Sequence, residues 1–263
     1  MDLGLAGRVA LVAASSRGLG RAVAEELAAE GASLVLTARG VRGLEAAAKE
    51  IGDRHGVPVL ALPSDVGQRG EPERLVREGI ARFGQIDILL TNSGGPPPGP
   101  FESLDAEAWS KATALVLSSV VEFCRAVLPG MKQRRWGRIL NVTSIAAKQP
   151  VDNLMLSNSL RAAVIGFART LATEAASFGV TVNNLLPGFT RTERMVELSE
   201  VTAERDKVTP EAALARFTAA VPMGRMGEPR EFAALAAFLA SDRASYITGQ
   251  SMAVDGGWIR ALM

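Results

Sequence analysis

Arg8–Thr37 reads RVALVAASSRGLGRAVAEELAAEGASLVLT, and this stretch decides the fold. Arg8–Ala14, RVALVAA, is a short apolar run of β character. Ser15, Ser16 and Arg17 lead from it into Gly18-Leu19-Gly20, and a helical pattern follows as far as Glu30. Gly31 stands where a C′ glycine ends a helix. Ser33–Thr37, SLVLT, is a second apolar run, so the unit is strand, helix, strand. Both strands are apolar throughout and do not alternate, which is the pattern of a parallel sheet covered on both faces.

The alternation continues outward. Val41–His55 has Leu44, Ala47, Ala48 and Ile51 at helical spacing. Val57–Leu62 reads as a third strand leading to Ser64-Asp65-Val66, and Glu71–Phe83 as a third helix with Pro72 in its first turn. Ile86–Leu90 is a fourth strand, followed by TNSGGPPPGPF. Leu104–Arg135 is largely helical, with Pro129 expected to break it near its end. Arg138–Thr143 is a fifth strand, and the helix after the Ser144–Arg161 stretch runs to about Phe178. Val180–Leu186 is a sixth strand and ends in Pro187-Gly188. Residues 190–227 are polar, helix-prone and interrupted by Pro210 and Pro222, so they read as a helical insertion near the substrate site. Glu228–Ala240 is the last helix and Ser251–Val254 a closing strand. With about seven strands alternating with helices, residues 1–263 are expected to form one domain, a Rossmann-type doubly wound α/β fold. Such folds bind ligands at the carboxyl ends of their strands.

Composition narrows the function. The 263 residues are 48% hydrophobic, enough for one sizeable core. The 29 basic and 28 acidic side chains leave a net charge of +1, which gives no electrostatic argument for nucleic acid or an anionic membrane. The single cysteine, Cys124, excludes an internal disulfide framework, fits a reducing cytoplasm, and sits in an apolar helical stretch as a core thiol would. The start, MDLGLAGRVALVAA, carries Asp2 before any cation, and its apolar run is short, so it reads as a buried strand and not a targeting segment. No window reaches ~18 uninterrupted apolar residues, so no membrane span is expected. The only histidine, His55, lies in a polar loop away from Ser144, which leaves no serine-hydrolase triad and no His/Cys cluster for a metal.

A glycine turn between a first strand and a first helix lets backbone approach a pyrophosphate at the helix N-terminus. With that turn, the chain resembles the short-chain dehydrogenase/reductase family over nearly its whole length. Ala14-Ser15-Ser16-Arg17-Gly18-Leu19-Gly20 looks like the family's TGxxxGxG, with Ala14 in place of its first glycine. Asp65-Val66 resembles its adenine-contacting pair, Thr91-Asn92-Ser93-Gly94 its NNAG, and Pro187-Gly188 its PG motif, with Thr190 just beyond. Ser144 follows the fifth strand as the family's catalytic serine does, and Val254-Asp255-Gly256-Gly257 is also similar. The wording ALVAASSRGLGRAVA is closest to the 3-oxoacyl-(acyl-carrier-protein) reductase branch. The resemblance implies that Ser15, Ser16, Arg17, Gly18, Leu19, Gly20, Asp65, Val66, Asn92, Ser93, Gly94, Arg161, Pro187, Gly188 and Thr190 bind a nicotinamide dinucleotide. Thr37-Ala38-Arg39 offers no acid for a ribose 2′-hydroxyl, and Arg39 and Arg17 both suit a 2′-phosphate, so NADP(H) is preferred over NAD(H). The alternative is that both arginines are only solvated. Ala14 is tolerable only with a negative φ.

At the chemical end the resemblance implies a serine that holds the carbonyl oxygen, a tyrosine that gives the proton, a lysine four residues later, and an asparagine that orders a relay water. Ser144 is present. The tyrosine position, thirteen residues on, is Ser157; the lysine position is Arg161; the asparagine position is Val116. The chain's only tyrosine is Tyr246, in a C-terminal loop. A serine hydroxyl is too weak an acid to replace a phenol, although Ser144 and Ser157 together make half of an oxyanion site. Arg161 remains charged and its fork suits ribose hydroxyls or an anionic substrate, unless it is a structural ion pair. Lys148, the one lysine of the loop, becomes a proton-transfer candidate if burial strips its water. Gly94–Pro100, GGPPPGP, favours a stiff polyproline path that forms a substrate wall or, less in keeping with its short length, a recognition peptide.

Three readings stay open on these residues. The first is an NADP(H)-dependent reductase of 3-oxoacyl type, acting on a small carbonyl or acyl thioester with a non-tyrosine proton source. The second is a non-catalytic NADP(H)-binding sensor or partner subunit. The third is an isomerase or dehydratase on the same fold. The resemblance also implies a homo-oligomer, dimer or tetramer, built through the long helices of Leu104–Gly130 and Leu154–Phe178.

Overall fold

The computed structural model describes residues 2–262. Its strands are β1 (Val9–Ala13), β2 (Ser33–Ala38), β3 (Val59–Pro63), β4 (Ile88–Thr91), β5 (Gly137–Val142), β6 (Val180–Pro187) and β7 (Ser251–Val254). Its helices are α1 (Gly18–Ala29), α2 (Val41–His55), α3 (Glu71–Phe83), α4 (Ala106–Thr113), α5 (Ser119–Arg134), α6 (Met155–Ala175), α7 (Glu193–Asp206), α8 (Pro210–Ala219) and α9 (Pro229–Ala240). The seven strands form one parallel sheet in the order β3-β2-β1-β4-β5-β6-β7. The chain winds one way from β1 to β3 and the other way from β4 to β7, so the switch point lies between β1 and β4.

The apolar runs become strands because both of their faces are needed. Val9, Leu11 and Ala13 join one core with Val35, Leu89 and Ile139. Ala10 and Val12 join the opposite core with Leu34, Leu36, Ile88 and Leu140. The first core is closed by Leu75 of α3, Phe123 and Val127 of α5, and Leu160 and Val164 of α6. The second is closed by Val23 and Leu27 of α1, Leu44 and Ile51 of α2, and Phe232 of α9. Truncating any of the buried leucines to alanine costs roughly 2–5 kcal/mol.

A polar row crosses this apolar sheet. The Thr91 hydroxyl donates to Asn141 Oδ1 at 2.8 Å, Asn141 Nδ2 to Asn184 Oδ1 at 3.2 Å, and Asn184 Nδ2 to Ser251 Oγ at 3.0 Å. The four residues are register partners on β4, β5, β6 and β7. A slip of one residue would bury unpaired amides, so the row fixes the register of the half of the sheet that carries Ser144.

Pro129 does not break its helix. It lies inside α5, which runs on to Arg134. Pro129 and Arg125, whose carbonyl loses its donor, are both on the exposed face of the helix, where a missing bond costs least. The irregularity lies earlier, where Ala114–Ser118 makes a π-turn between α4 and α5. The continuous helical run Ala106–Arg134 is long and apolar enough to cross a membrane by length and composition alone. Its apolar stripe, Val116, Val120, Phe123, Cys124, Val127 and Met131, is spent on the first core. Pro210 starts α8 instead of interrupting a helix, with the Thr209 hydroxyl accepting from the Ala212 amide at 3.2 Å. The third and fourth strands begin two residues later than their apolar runs suggest, at Val59 and Ile88.

Candidate active site and dinucleotide cleft

The strand ends on either side of the switch point open into a cavity of about 680 Å³. It is lined from the end of β3 to the end of β6. On the β1 side it meets Ser16, Arg17, Gly18 and Leu19. No side chain caps the first turn of α1, so its N–H groups and positive dipole end are free for an anion.

Three residues of this turn act differently from the sequence reading. Ser15 is buried and does not line the cavity; its hydroxyl accepts from the Thr37 amide at 3.1 Å, tying β1 to β2. Gly20 is also behind the cavity. A Cβ there would lie 2.3 Å from the Ala14 carbonyl oxygen, so its role is to let α1 start against the strand end. Ala14 carries the main correction: its φ is +51°, not negative. The Ser15 amide donates to Thr37 O at 3.0 Å, and Gly20 crowds the Ala14 carbonyl, so the turn imposes a left-handed residue whatever the side chain.

Arg39, Asp65 and Val66 line the cavity at the ends of β2 and β3. Arg39 is exposed and has no carboxylate within ion-pair distance among the described residues. Arg17 is not simply solvated, because its guanidinium lies 3.3 Å from Glu197 of α7. Asp65 holds the Gly67 amide through Oδ1 at 3.0 Å. Asn92, Ser93 and Gly94 line the cavity after β4, and Pro187, Gly188 and Thr190 after β6.

At the far side Ser144, Ser157 and Arg161 share the same cavity. Ser144 Oγ accepts from the Ala146 amide at 3.1 Å, and its O–H has no acceptor among the described residues. Ser157 is 9% exposed in the first turn of α6 and Arg161 is 8% exposed one turn later. Asn158 grips Val151 at both its amide (3.3 Å) and its carbonyl (3.0 Å), which fixes the loop that presents them. Arg161 Nη1 donates to Val142 O at 3.0 Å and Thr143 O at 2.7 Å, clamping α6 to the end of β5. Burial, and then the nearby charge of Arg194, pull its pKa down to about 10, so it is a cation at neutral pH. It is not half of a structural ion pair: no carboxylate lies within ion-pair distance among the described residues.

Lys148 falls outside the site. It follows a short 3₁₀ turn, is exposed, and does not line the cavity, so the burial its catalytic reading needs is absent. Tyr246 is fully exposed and also outside. Val116 sits in the π-turn and faces a second void of about 10 Å³ shared with Asn92, Ser119, Thr143 and Arg161. That is about the room one water needs, among polar partners.

The sequence reading placed residues 190–227 near the substrate site and named Thr190, but it did not single out Phe189, Arg194 or Glu197 in the wall made by residues 189–198. Phe189 lines the cavity and stacks on Phe217 of α8 (5.1 Å) and Trp258 (5.8 Å), which brings the C-terminal segment to the site. Arg194 of α7 donates to Pro96 O at 3.3 Å and pairs with Glu197 at 3.2 Å. Glu197 thus joins Arg194 to Arg17, and α7 spans the cavity from the proline loop to the glycine turn. The proline loop is itself fastened, since the Gly99 amide donates to Asn153 O at 2.8 Å. The only signal of this wall in the sequence was the run of charges among apolar residues after Pro187-Gly188.

Known proteins share this arrangement. A family model described as enoyl-(acyl carrier protein) reductase matches residues 13–259. The 3-oxoacyl-(acyl-carrier-protein) reductase of Haemophilus influenzae is 36% identical over 251 residues, covering 95% of this chain and 98% of that one. The NADPH-dependent reductase BacG of Bacillus subtilis is 30% identical over 256 residues, covering 97% and 99%. L-sorbose reductase from Gluconobacter frateurii, solved with NADPH and L-sorbose, superposes with a TM-score of 0.94 at 33% identity over 100% of both chains. Likeness of this extent, in sequence and in fold, leaves one assignment: the chain belongs to the short-chain dehydrogenase/reductase family of oxidoreductases.

Proposed function

We propose that the protein is an NADP(H)-dependent reductase of 3-oxoacyl type, which reduces the carbonyl of a small molecule or acyl thioester without a tyrosine. The observation that carries this reading is one cavity running from Arg39 to Ser144, Ser157 and Arg161. A dinucleotide fits its residues: the uncapped first turn of α1 receives the diphosphate, and Asp65-Val66 borders the base. Arg39, free of any acid, takes the 2′-phosphate, whereas Arg17 is engaged by Glu197. A bound reduced nicotinamide supplies the hydride. Ser144 and Ser157 donate to the carbonyl oxygen as negative charge builds there. The proton reaches that oxygen from water, for which the void beside Arg161 and Ser119 has room. Positions 116, 157 and 161 are read here as the family's asparagine, tyrosine and lysine positions.

Residues 190–227 serve as the substrate-side cover, with α7 over the cavity. A homo-oligomer, dimer or tetramer, accompanies the reading, because exposed Ala162, Ala163 and Gly166 on α6 let a second helix approach closely. The lone buried thiol suits the cytoplasm.

Calorimetry with NADPH and NADH, followed by NADPH oxidation across a panel of 3-oxoacyl compounds and quinones, tests the proposal. NADPH should bind more tightly, and Arg39→Asp should weaken NADPH by about tenfold or more while sparing NADH. Unchanged NADPH affinity in that variant would overturn the cofactor assignment. The exposed position of Tyr246 favours a rival, a sensor or partner subunit that binds the cofactor without turnover; binding with no oxidation of any substrate would support it. An isomerase or dehydratase would convert substrate without net NADPH loss. The triple change Val116→Asn, Ser157→Tyr, Arg161→Lys should raise reductase activity if only the proton donor and its support are lacking.

A further inference from the structure

Arg161 is a buried cation without a counter-charge. Nη1 is spent on two backbone carbonyls, while Nε and Nη2 have no partner among the described residues, and Arg161 lines both the cavity and the small void beside it. Arg161 is only 8% exposed, and a cation taken out of water loses hydration that an anion can compensate. The nearest charged neighbour makes the deficit larger, since Arg194 lines the same cavity. Arg194 is itself paired to Glu197, and that carboxylate is shared with Arg17. The other carboxylate of this wall, Glu193, lies beside Gly18 at the glycine turn, so no carboxylate reaches ion-pair distance of Arg161 among the described residues.

We propose that the open edge of Arg161, backed by Arg194, is a carboxylate subsite, and that the substrate is an oxo acid with a free carboxylate near its carbonyl. The inference rests on the reductase reading above and narrows its substrate class away from neutral thioesters. The spacing follows from α6. Ser157 and Arg161 are four residues apart on one helix face, with Cβ atoms roughly 5–6 Å apart. A carbonyl held by Ser157 and Ser144 and a carboxylate held by Arg161 then sit on one face of α6 in the same cavity, as suits an oxo acid whose two groups are close in its chain. Leu154, Met195, Leu198 and Phe189 line the cavity nearby and suit an apolar tail.

The test is calorimetric and does not require turnover. The NADP⁺-loaded chain is titrated with 2-oxohexanoate, 3-oxohexanoate and their methyl esters. At least one acid should bind about tenfold or more tightly than its ester. Arg194→Gln, at a partly exposed position, should lower the affinity for that acid by about fivefold or more at saturating NADP⁺, leaving the ester affinity unchanged. Arg161→Met should abolish the preference for acid over ester; its melting temperature reports whether it folds, and Arg194→Gln decides if it does not. Acid and ester binding alike, or no acid binding to the cofactor-loaded chain, overturns the proposal. If NADP⁺ does not bind, the reductase reading fails separately, and the same acids titrated into the cofactor-free chain still decide: binding that Arg194→Gln weakens supports the subsite, and its absence overturns it.

Discussion

Ala14 holds a φ of +51° at the residue where strand gives way to glycine turn. An alanine pays about 1 kcal/mol for a left-handed backbone, part of which is offset by its lower freedom in the unfolded chain. Ala14→Gly should therefore stabilise the protein by about 0.5–1 kcal/mol, raising the melting temperature by about 2 °C. A lower melting temperature would mean that the methyl makes a contact worth more than the strain. The sequence shows that a glycine is replaced, but φ is decided by the Thr37 carbonyl and by Gly20, which meet Ala14 only in the folded turn. Arg161 makes the same point. Its residue type shows a permanent cation; its burial and its missing counter-charge depend on β5 and α6 meeting.

Among elements, the polar row over β4–β7 is the feature least expected from apolar strand patterns. Thr91, Asn141, Asn184 and Ser251 are far apart in sequence and become neighbours only through the sheet register. Asn184→Ala removes the acceptor of Asn141 and the donor to Ser251 in a buried place. The expected cost is about 2–4 kcal/mol in chemical denaturation. A loss under about 0.5 kcal/mol would show that water or a neighbour replaces the amide. The helices were legible from spacing and caps: α2 and α3 have the limits that periodicity predicts, and Gly31 follows α1 with a φ of +86°. The π-turn at Ala114–Ser118, which packs against α6 beside the small void at Val116, was not, because no residue type along the helix marks it.

At the scale of the whole molecule, both apolar cores and the cleft come from one sheet, so the core reports on the integrity of the site. Cys124 lies in the first core, where burial pushes its thiol up to about 12. At neutral pH it carries almost no thiolate and has no path to reagent. Its labelling in the native protein should be slower by about 10³-fold or more than in denaturant, at a rate set by unfolding. Fast labelling without loss of structure would show that α5 opens independently. The cover made by α7 also exists only at this scale: Glu197 reaches Arg17 and Arg194 reaches Pro96, separations of 180 and 98 residues along the chain.

The sequence by itself determined the alternation of strands and helices, the parallel doubly wound sheet, the glycine turn and the identity of the residues at the strand ends. These are local facts: apolar runs, helical periods and turn residues act on their own neighbours. Tertiary structure alone decided which residues face the cleft. It put Ser15 and Gly20 behind the turn, left Lys148 in solvent, and brought Phe189, Arg194 and Glu197 to the opposite wall. Orientation and burial are set by segments that meet from distant parts of the chain, and so is the charge balance around Arg161.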